Sequence, residues 1–102
     1  MVGGLRQRFE WDDQKSEANQ KKQGFSFETA VLVFEDRNCL LFVERSEQCE
    51  ERWHAIGSVR GSLLFLTVVH TYREEGAGQI VRIISARLAT YRERRLYAEA
   101  IL

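Results

Sequence analysis

The spacing of apolar and polar positions divides the chain into eight segments. Leu5 to Trp11 alternates, with Leu5, Gln7, Phe9 and Trp11 on one side and Arg6, Arg8 and Glu10 on the other. That pattern predicts a short strand with one wet face. Asp12 then stands as an N-cap before a helix over residues 13–23, with Asp13 adding negative charge where the helix dipole favours it. This helix is polar all round, since Ala18 is its only apolar residue. A helix of that kind is either loosely docked or carries a functional face. Gly24 sits where a left-handed C′ residue belongs. Ser26 caps a second helix whose Phe27, Ala30, Val31 and Phe34 follow i, i+3, i+4, i+7 spacing and so face the core. Asp36, Arg37 and Asn38 supply turn chemistry.

Four strand-like runs follow. Asn38 to Arg45 is apolar on both faces, with Cys39, Leu41 and Val43 against Leu40 and Phe42. That suits an interior strand or one covered by a helix. After an acidic loop at Ser46 to Glu51, a strand resumes at Trp53, and Arg60-Gly61-Ser62 reads as a tight hairpin. Ser62 to Tyr72 is the most apolar strand and is expected at the centre of the sheet. Arg73 to Gly78 is expected to be a charged loop, followed by the β-branched run Ile80-Val81-Arg82-Ile83-Ile84. Thr90-Tyr91-Arg92-Glu93 fits a capping box for a last helix with an apolar stripe at Leu96, Tyr97, Ala100 and Ile101. Consecutive hairpins then predict an α+β fold: a small antiparallel β-sheet of about four to five strands, two helices in the N-terminal half and a C-terminal helix.

Composition narrows the class. At 102 residues the chain is one domain by length, with ordinary apolar (44%) and charged (29%) fractions. No apolar run approaches the roughly 20 residues of a membrane helix, and MVGGLRQR has no hydrophobic signal region, so a cytoplasmic protein is expected. Cys39 and Cys49 are too few for a disulfide scaffold and fit no metal-ligand spacing; Cys39 reads as core and Cys49 as exposed. The zero net charge hides an asymmetry, because Glu10 to Glu51 holds 11 acidic and 5 basic residues while the remainder to Leu102 holds 4 and 8. A basic half can meet nucleic acid or an acidic partner, unless folding interleaves the two.

The chemistry visible in the residues is a basic ridge. Arg82, Ser85, Arg87, Arg92, Arg94 and Arg95 crowd one strand, its end and the first turns of the last helix. Guanidiniums on a rigid strand can bind phosphate, or they can be ion-paired surface. Lys15, Asn19 and Lys22 form one helical stripe, which by spacing alone is a solvated one. His54 and His70 are the two imidazoles, and His70 precedes the polar cluster Thr71, Tyr72 and Arg73 where a general base could sit; a hydrogen-bonding structural histidine is the alternative. No P-loop, GxSxG, GxGxxG or HExxH motif is present.

Taken in order, FEWDDQKSEANQKKQGFSFETAVLVFED, EERWHAIGSV, LTVVHTYR and IVRIISARLATYRERRLY resemble the BrnT family of bacterial type II toxins over Phe9 to Tyr97. The resemblance implies a RelE/ParE-like fold and a ribonuclease that arrests translation and growth. It also implies a BrnA-type ribbon-helix-helix antitoxin as partner, with operator DNA contacted only through that complex. Carried over residue by residue, the family's polar positions fall on Trp11, Asp12, Lys15, Asn19, Lys22, Arg52, Trp53, Thr71, Arg73, Arg82, Ser85, Arg87, Thr90, Glu93 and Arg94. Two departures stand out: the histidine of the family's KHG element is Gln23 here, and the loop from Arg73 to Gln79 looks longer than usual.

A metal-independent cleavage of RNA needs a base near the 2′-hydroxyl, cations on the phosphate and an acid at the leaving oxygen, with no cofactor. Arg82 and Arg87, with Lys15 or Lys22, are the expected phosphate clamp. His70 is the expected base or acid, with His54, Glu93 and Tyr97 as competitors. Asn19, Lys22, Arg52, Arg73, Ser85 and Arg94 are the expected RNA contacts. Two other readings remain open: a BrnT-like module that has lost catalysis and only binds its antitoxin, and a ParE-like action on a topoisomerase.

Overall fold

The computed structural model describes residues 6–45 and 51–101; Leu5, Cys49 and most of the expected acidic loop lie outside them. The elements are β1 (Arg6–Glu10), α1 (Asp13–Gln23), α2 (Phe27–Ala30) running into a 3-10 segment (Val31–Glu35), β2 (Leu40–Arg45), β3 (Glu51–Ser58), β4 (Phe65–Glu75), β5 (Gly78–Leu88) and α3 (Tyr91–Ile101). They form one five-stranded sheet in the order β1-β5-β4-β3-β2. The fold is α+β, and β4 is central as its apolar sequence predicts. β2 to β5 form an antiparallel meander, whereas β1 adds beside β5 in parallel, pairing Arg6 with Gly78 and Glu10 with Arg82.

Local chemistry places the turns. Arg60 (φ 49) and Gly61 (φ 70) are both left-handed, and Ser62 N–H donates to Val59 C=O at 3.0 Å, which is the tight hairpin expected between β3 and β4. The expected loop at Arg73 to Gly78 is instead mostly strand. β4 runs to Glu75 and β5 begins at Gly78, so only Gly76 (φ 61) and Ala77 make the turn. A glycine with positive φ at the first central position reverses the chain in two residues, and the charged side chains Arg73 to Glu75 ride on the strand. The second helix also departs from its pattern, tightening to 3-10 geometry at Val31 after a single α-turn.

The helices divide between the two faces. α1, α2 and the 3-10 segment cover one face, where Phe25, Phe27, Ala30 and Val33 pack on Ala55, Leu66, Val68, Val81, Ile83 and Ala86. Polar α1 docks by hydrogen bonds rather than by an apolar stripe. Buried Ser16 Oγ accepts from Phe27 N–H at 3.0 Å, and Asn19 donates to Phe25 C=O at 3.0 Å and accepts from Ala86 N–H at 3.4 Å. The last of these satisfies the edge of β5 beyond Glu10, where β1 has ended. α3 crosses the opposite face. Its expected stripe is buried only at Tyr97, while Leu96, Ala100 and Ile101 stay exposed.

Asp36 joins these layers. Its Oδ2 accepts from Ser58 N–H (2.9 Å) and from the Tyr97 hydroxyl (2.6 Å), and Oδ1 accepts from Asn38 N–H (2.9 Å). Burial pushes its carboxyl up, but the bonds from Ser58, Tyr97 and Asn38 outweigh that and leave it below the ordinary value. Beside it, a Cβ on Gly57 would stand 2.8 Å from Val33 Cγ1 and 3.2 Å from Asp36 Oδ2, so only glycine lets the 3-10 segment lie this close to β3. Gly57→Ala should therefore destabilise the fold by about 1–3 kcal/mol, read as a lower denaturation midpoint in urea with an unchanged slope.

Candidate active site

The face that α3 leaves open carries the polar side chains. Alternation along β4, carried to β5 by their register and reset by the irregularity at Val69/His70 that skips Ile84, points Thr67, Thr71, Arg73, Arg82, Ser85 and Arg87 to this side, while Val68, His70, Val81 and Ile83 point into the core. Cross-strand register then assembles a row that no single segment reveals. Glu10 pairs with Arg82, Arg82 with Thr71, and Glu44 with Arg52; the pairing of Trp53 with His70 sets Arg52 beside Thr71. Across the five strands the row reads Glu10, Arg82, Thr71, Arg52, Glu44. It places a hydroxyl at the centre, a guanidinium on each side and a carboxylate at each edge.

The electrostatics at the β1 end are well defined. Glu10 accepts two hydrogen bonds from Arg73 (2.8 and 3.1 Å) and one from Arg82 (2.9 Å). The hydrogen bond from Arg73 and then that from Arg82 hold the Glu10 carboxyl down at about 2. The two arginines remain half-exposed, with 52% and 45% of their side-chain surface in solvent. Arg8 pairs with Glu75 nearby, and Ile80 is buried against the sheet below this cluster. Three guanidiniums and two carboxylates thus leave a net positive corner.

A second centre fixes α3 to the same face. Glu93 accepts from both terminal nitrogens of Arg87 (2.7 and 2.9 Å), from the Thr67 hydroxyl (2.9 Å) and from Thr90 N–H (2.9 Å). Thr90 Oγ1 accepts from Glu93 N–H in return (3.1 Å), which completes the expected capping box. Arg87, acting first through its hydrogen bond, holds the Glu93 carboxyl at about 2, so Glu93 stays a carboxylate at any physiological pH. It has no proton to give and four donors already in place. Arg87 is the anchor of α3 as well as part of the face.

Other expected site residues separate. His70 is fully buried, edge-on to Phe34 and Tyr72, with Nδ1 3.1 Å from Val68 C=O. Burial drives its imidazole down to about 4, so it sits neutral inside the core on the side away from the row. An RNA backbone on the open face does not reach it. Desolvation, with Asp36 next, lifts Tyr97 to about 12. His54 does lie on the open face, with Nε2 3.0 Å from Glu44 Oε2 and its ring stacked on Phe42. On α1, the Asn19 amide is engaged in docking, whereas Lys15 and Lys22 are exposed on the same stripe, and among the described residues neither carries an ion pair. Gln23 is the half-buried last residue of α1. Ser85 and Arg94 are exposed. Trp11 and Trp53 are half-buried, edge-on to Phe27 and Tyr72, and Asp12 caps α1. Glu10 and Glu44 are the members of the row that sequence alone left without a role. Alternation put Glu10 on the wet face of its strand, but only register shows what it meets.

The model of the ribonuclease toxin BrnT, of type II toxin–antitoxin systems, matches residues 11–93. The chain belongs to the BrnT family. Nothing among curated proteins matches it. BrnT proteins are ribonuclease toxins, and membership implies a protein antitoxin as partner. Among the described residues no helix is long and apolar enough to cross a membrane, and no group of three or more His, Cys, Asp or Glu side chains is placed to hold a metal ion.

The Glu93 centre makes a pH prediction. Its folded carboxyl titrates at about 2 against an ordinary 4.5. A depressed value contributes stability that is fully present above about 4.5 and is lost as pH falls toward 2. Glu93→Gln should lower stability at neutral pH by roughly 1–3 kcal/mol. It should also flatten the loss of stability between pH 4.5 and 2, as followed by chemical denaturation at several pH values.

Proposed function

We propose that this chain is a metal-independent endoribonuclease that seats an RNA phosphate over Thr71, between Arg52 and Arg82, and so arrests translation and growth. The observation that carries this reading is the cross-strand row. Arg52 and Arg82 stand on the strands either side of Thr71, about 10 Å apart at the backbone, and point to one open face. Their side chains can meet on a single phosphate between them. Arg82 is oriented by Glu10 through one terminal nitrogen, leaving its other donors for an anion. Arg73 holds the other side of Glu10 and adds positive charge at the corner.

In this reading the 2′-oxygen of RNA attacks the neighbouring phosphorus, and the guanidiniums stabilise the charge that accumulates on the phosphate oxygens. Thr71 and Ser85 supply hydroxyl donors on the same surface. Lys15 and Lys22, on the α1 stripe that flanks the β5 edge, extend the track along which the RNA backbone runs, and Arg94 extends it toward α3. Asn19 is assigned to docking α1, and Arg87 to holding α3 and shaping the face. The partner is a BrnA-type ribbon-helix-helix antitoxin that neutralises the toxin in the cytoplasm, and operator DNA is met only through that complex.

Charge-assisted contacts of this kind contribute on the order of 1.5–3 kcal/mol each, roughly a 10- to 100-fold effect on rate. Arg82→Ala and Arg52→Ala should each lower RNA cleavage in vitro by about that factor, with the thermal midpoint nearly unchanged. EDTA should leave wild-type cleavage intact. Full activity in both arginine variants would remove the row from the site. Folded wild-type protein that binds its antitoxin but cuts no RNA would favour a binding-only module, and altered DNA supercoiling without RNA loss would favour a topoisomerase target.

A further inference from the structure

The open face offers an anion seat, and most of the expected proton-transfer groups are not available on it. His70 is in the core, Glu93 is saturated by Arg87, Thr67 and Thr90, Tyr97 is committed to Asp36, and Glu10 is held by two arginines. One pair on this face is still available. We infer that Glu44 and His54 form the proton-accepting end of the site, with the Glu44 carboxylate taking the proton of the RNA 2′-hydroxyl and His54 positioning it. The inference rests on the ribonuclease reading given above.

Several observations converge on this pair. Glu44 ends the row and is the direct cross-strand neighbour of Arg52, so it lies beside the phosphate seat and on the same face. Its Oε2 is 3.0 Å from His54 Nε2, while 68% of the Glu44 side chain remains in solvent against 14% for His54. A carboxylate only accepts hydrogen bonds, so of the pair it is Nε2 that can donate. His54 Nδ1 is buried with no hydrogen-bond partner. The ring therefore turns Nδ1 inward, where substrate does not reach, and Nε2 outward toward Glu44. Phe42 stacks on the ring at 4.9 Å and limits its rotation. The acceptor that faces a substrate is accordingly the carboxylate, with one oxygen beside Nε2 and the other, among the described residues, without a hydrogen bond.

The step balances without an added reactant. The 2′-hydroxyl proton passes to the free oxygen of Glu44, and the electron pair on the 2′-oxygen forms the new bond to phosphorus. The bond from phosphorus to the 5′-oxygen breaks, and that oxygen takes a proton from water. The products are a 2′,3′-cyclic phosphate and a 5′-hydroxyl. Glu44 returns its proton to solvent.

Steady-state cleavage of an RNA oligonucleotide, with binding of the same oligonucleotide carrying 2′-deoxy sugars measured separately, tests this. Loss of general base catalysis is a 100- to 10,000-fold effect in typical cases. Glu44→Gln, an exposed isosteric change, should lower kcat by about 100-fold or more while KM and binding of the deoxy analogue stay within about threefold. His54→Phe should lower kcat by about tenfold with KM unchanged, because the carboxylate loses its hydrogen-bond donor. Glu44→Gln cleaving within threefold of wild type, with Arg82→Ala impaired in parallel, overturns this assignment alone. A wild-type chain that cleaves no RNA overturns the ribonuclease reading, and this assignment with it. Should His54→Phe fail to fold, Glu44→Gln decides the matter.

Discussion

Two guanidiniums on neighbouring strands repel each other, and the Glu10 carboxylate between Arg73 and Arg82 offsets that repulsion on the face to which the pleat points both. The parallel pairing of β1 makes this contact possible. The first strand brings the carboxylate to the edge of β5 in register with Arg82, then ends, so that α1 can turn away and cap the remaining edge through Asn19. At the other end of the face, Glu93 does for Arg87 what Glu10 does for Arg82, and it ties α3 down in the process. Both carboxyls are held near 2 by their arginines, so these two carboxylates keep their charge across physiological pH.

The two sides of the sheet serve separate purposes. Helices α1 and α2 and the 3-10 segment seal one side with Phe27, Ala30 and Val33, all with at most 1% of their surface exposed. On the other side Tyr97 meets Asp36 and Phe65, and Glu93 meets Arg87 and Thr67. Rigid strands present Arg52, Thr71 and Arg82 on the remainder. This is the geometry a phosphate seat asks for, since donors fixed before substrate arrives need no reorganisation during reaction.

Much of this was legible in the chain itself. Caps at Asp12, Ser26 and Thr90, the left-handed Gly24 and the Arg60-Gly61 turn depend on neighbours in sequence and appear as expected. The order of strands β2 to β5 follows from consecutive hairpins, and the family was carried by motifs spread from Phe9 to Tyr97. What escaped was set by register and burial. Alternation along β4 marks two sides but not which one is covered, so His70 read as a possible base although it lies in the core. The stripe of α1 read as solvated, whereas Asn19 is its docking residue. Glu10 and Glu44 drew no role because each matters only for the residue across from it. The Arg73 to Gly78 stretch, dense in charge, read as a loop because a two-residue turn needs only Gly76 to reverse the chain.

The central claim is that RNA lies across the row on the open face. The most direct measurement is amide and arginine side-chain NMR shift mapping during titration with a non-cleavable, 2′-deoxy oligonucleotide. The account predicts saturable shifts at Thr71 and at the Arg52 and Arg82 guanidiniums, with His70 and the α2 core unmoved. Shifts confined to exposed α3 residues such as Arg92 and Arg95, leaving the row silent, would contradict it.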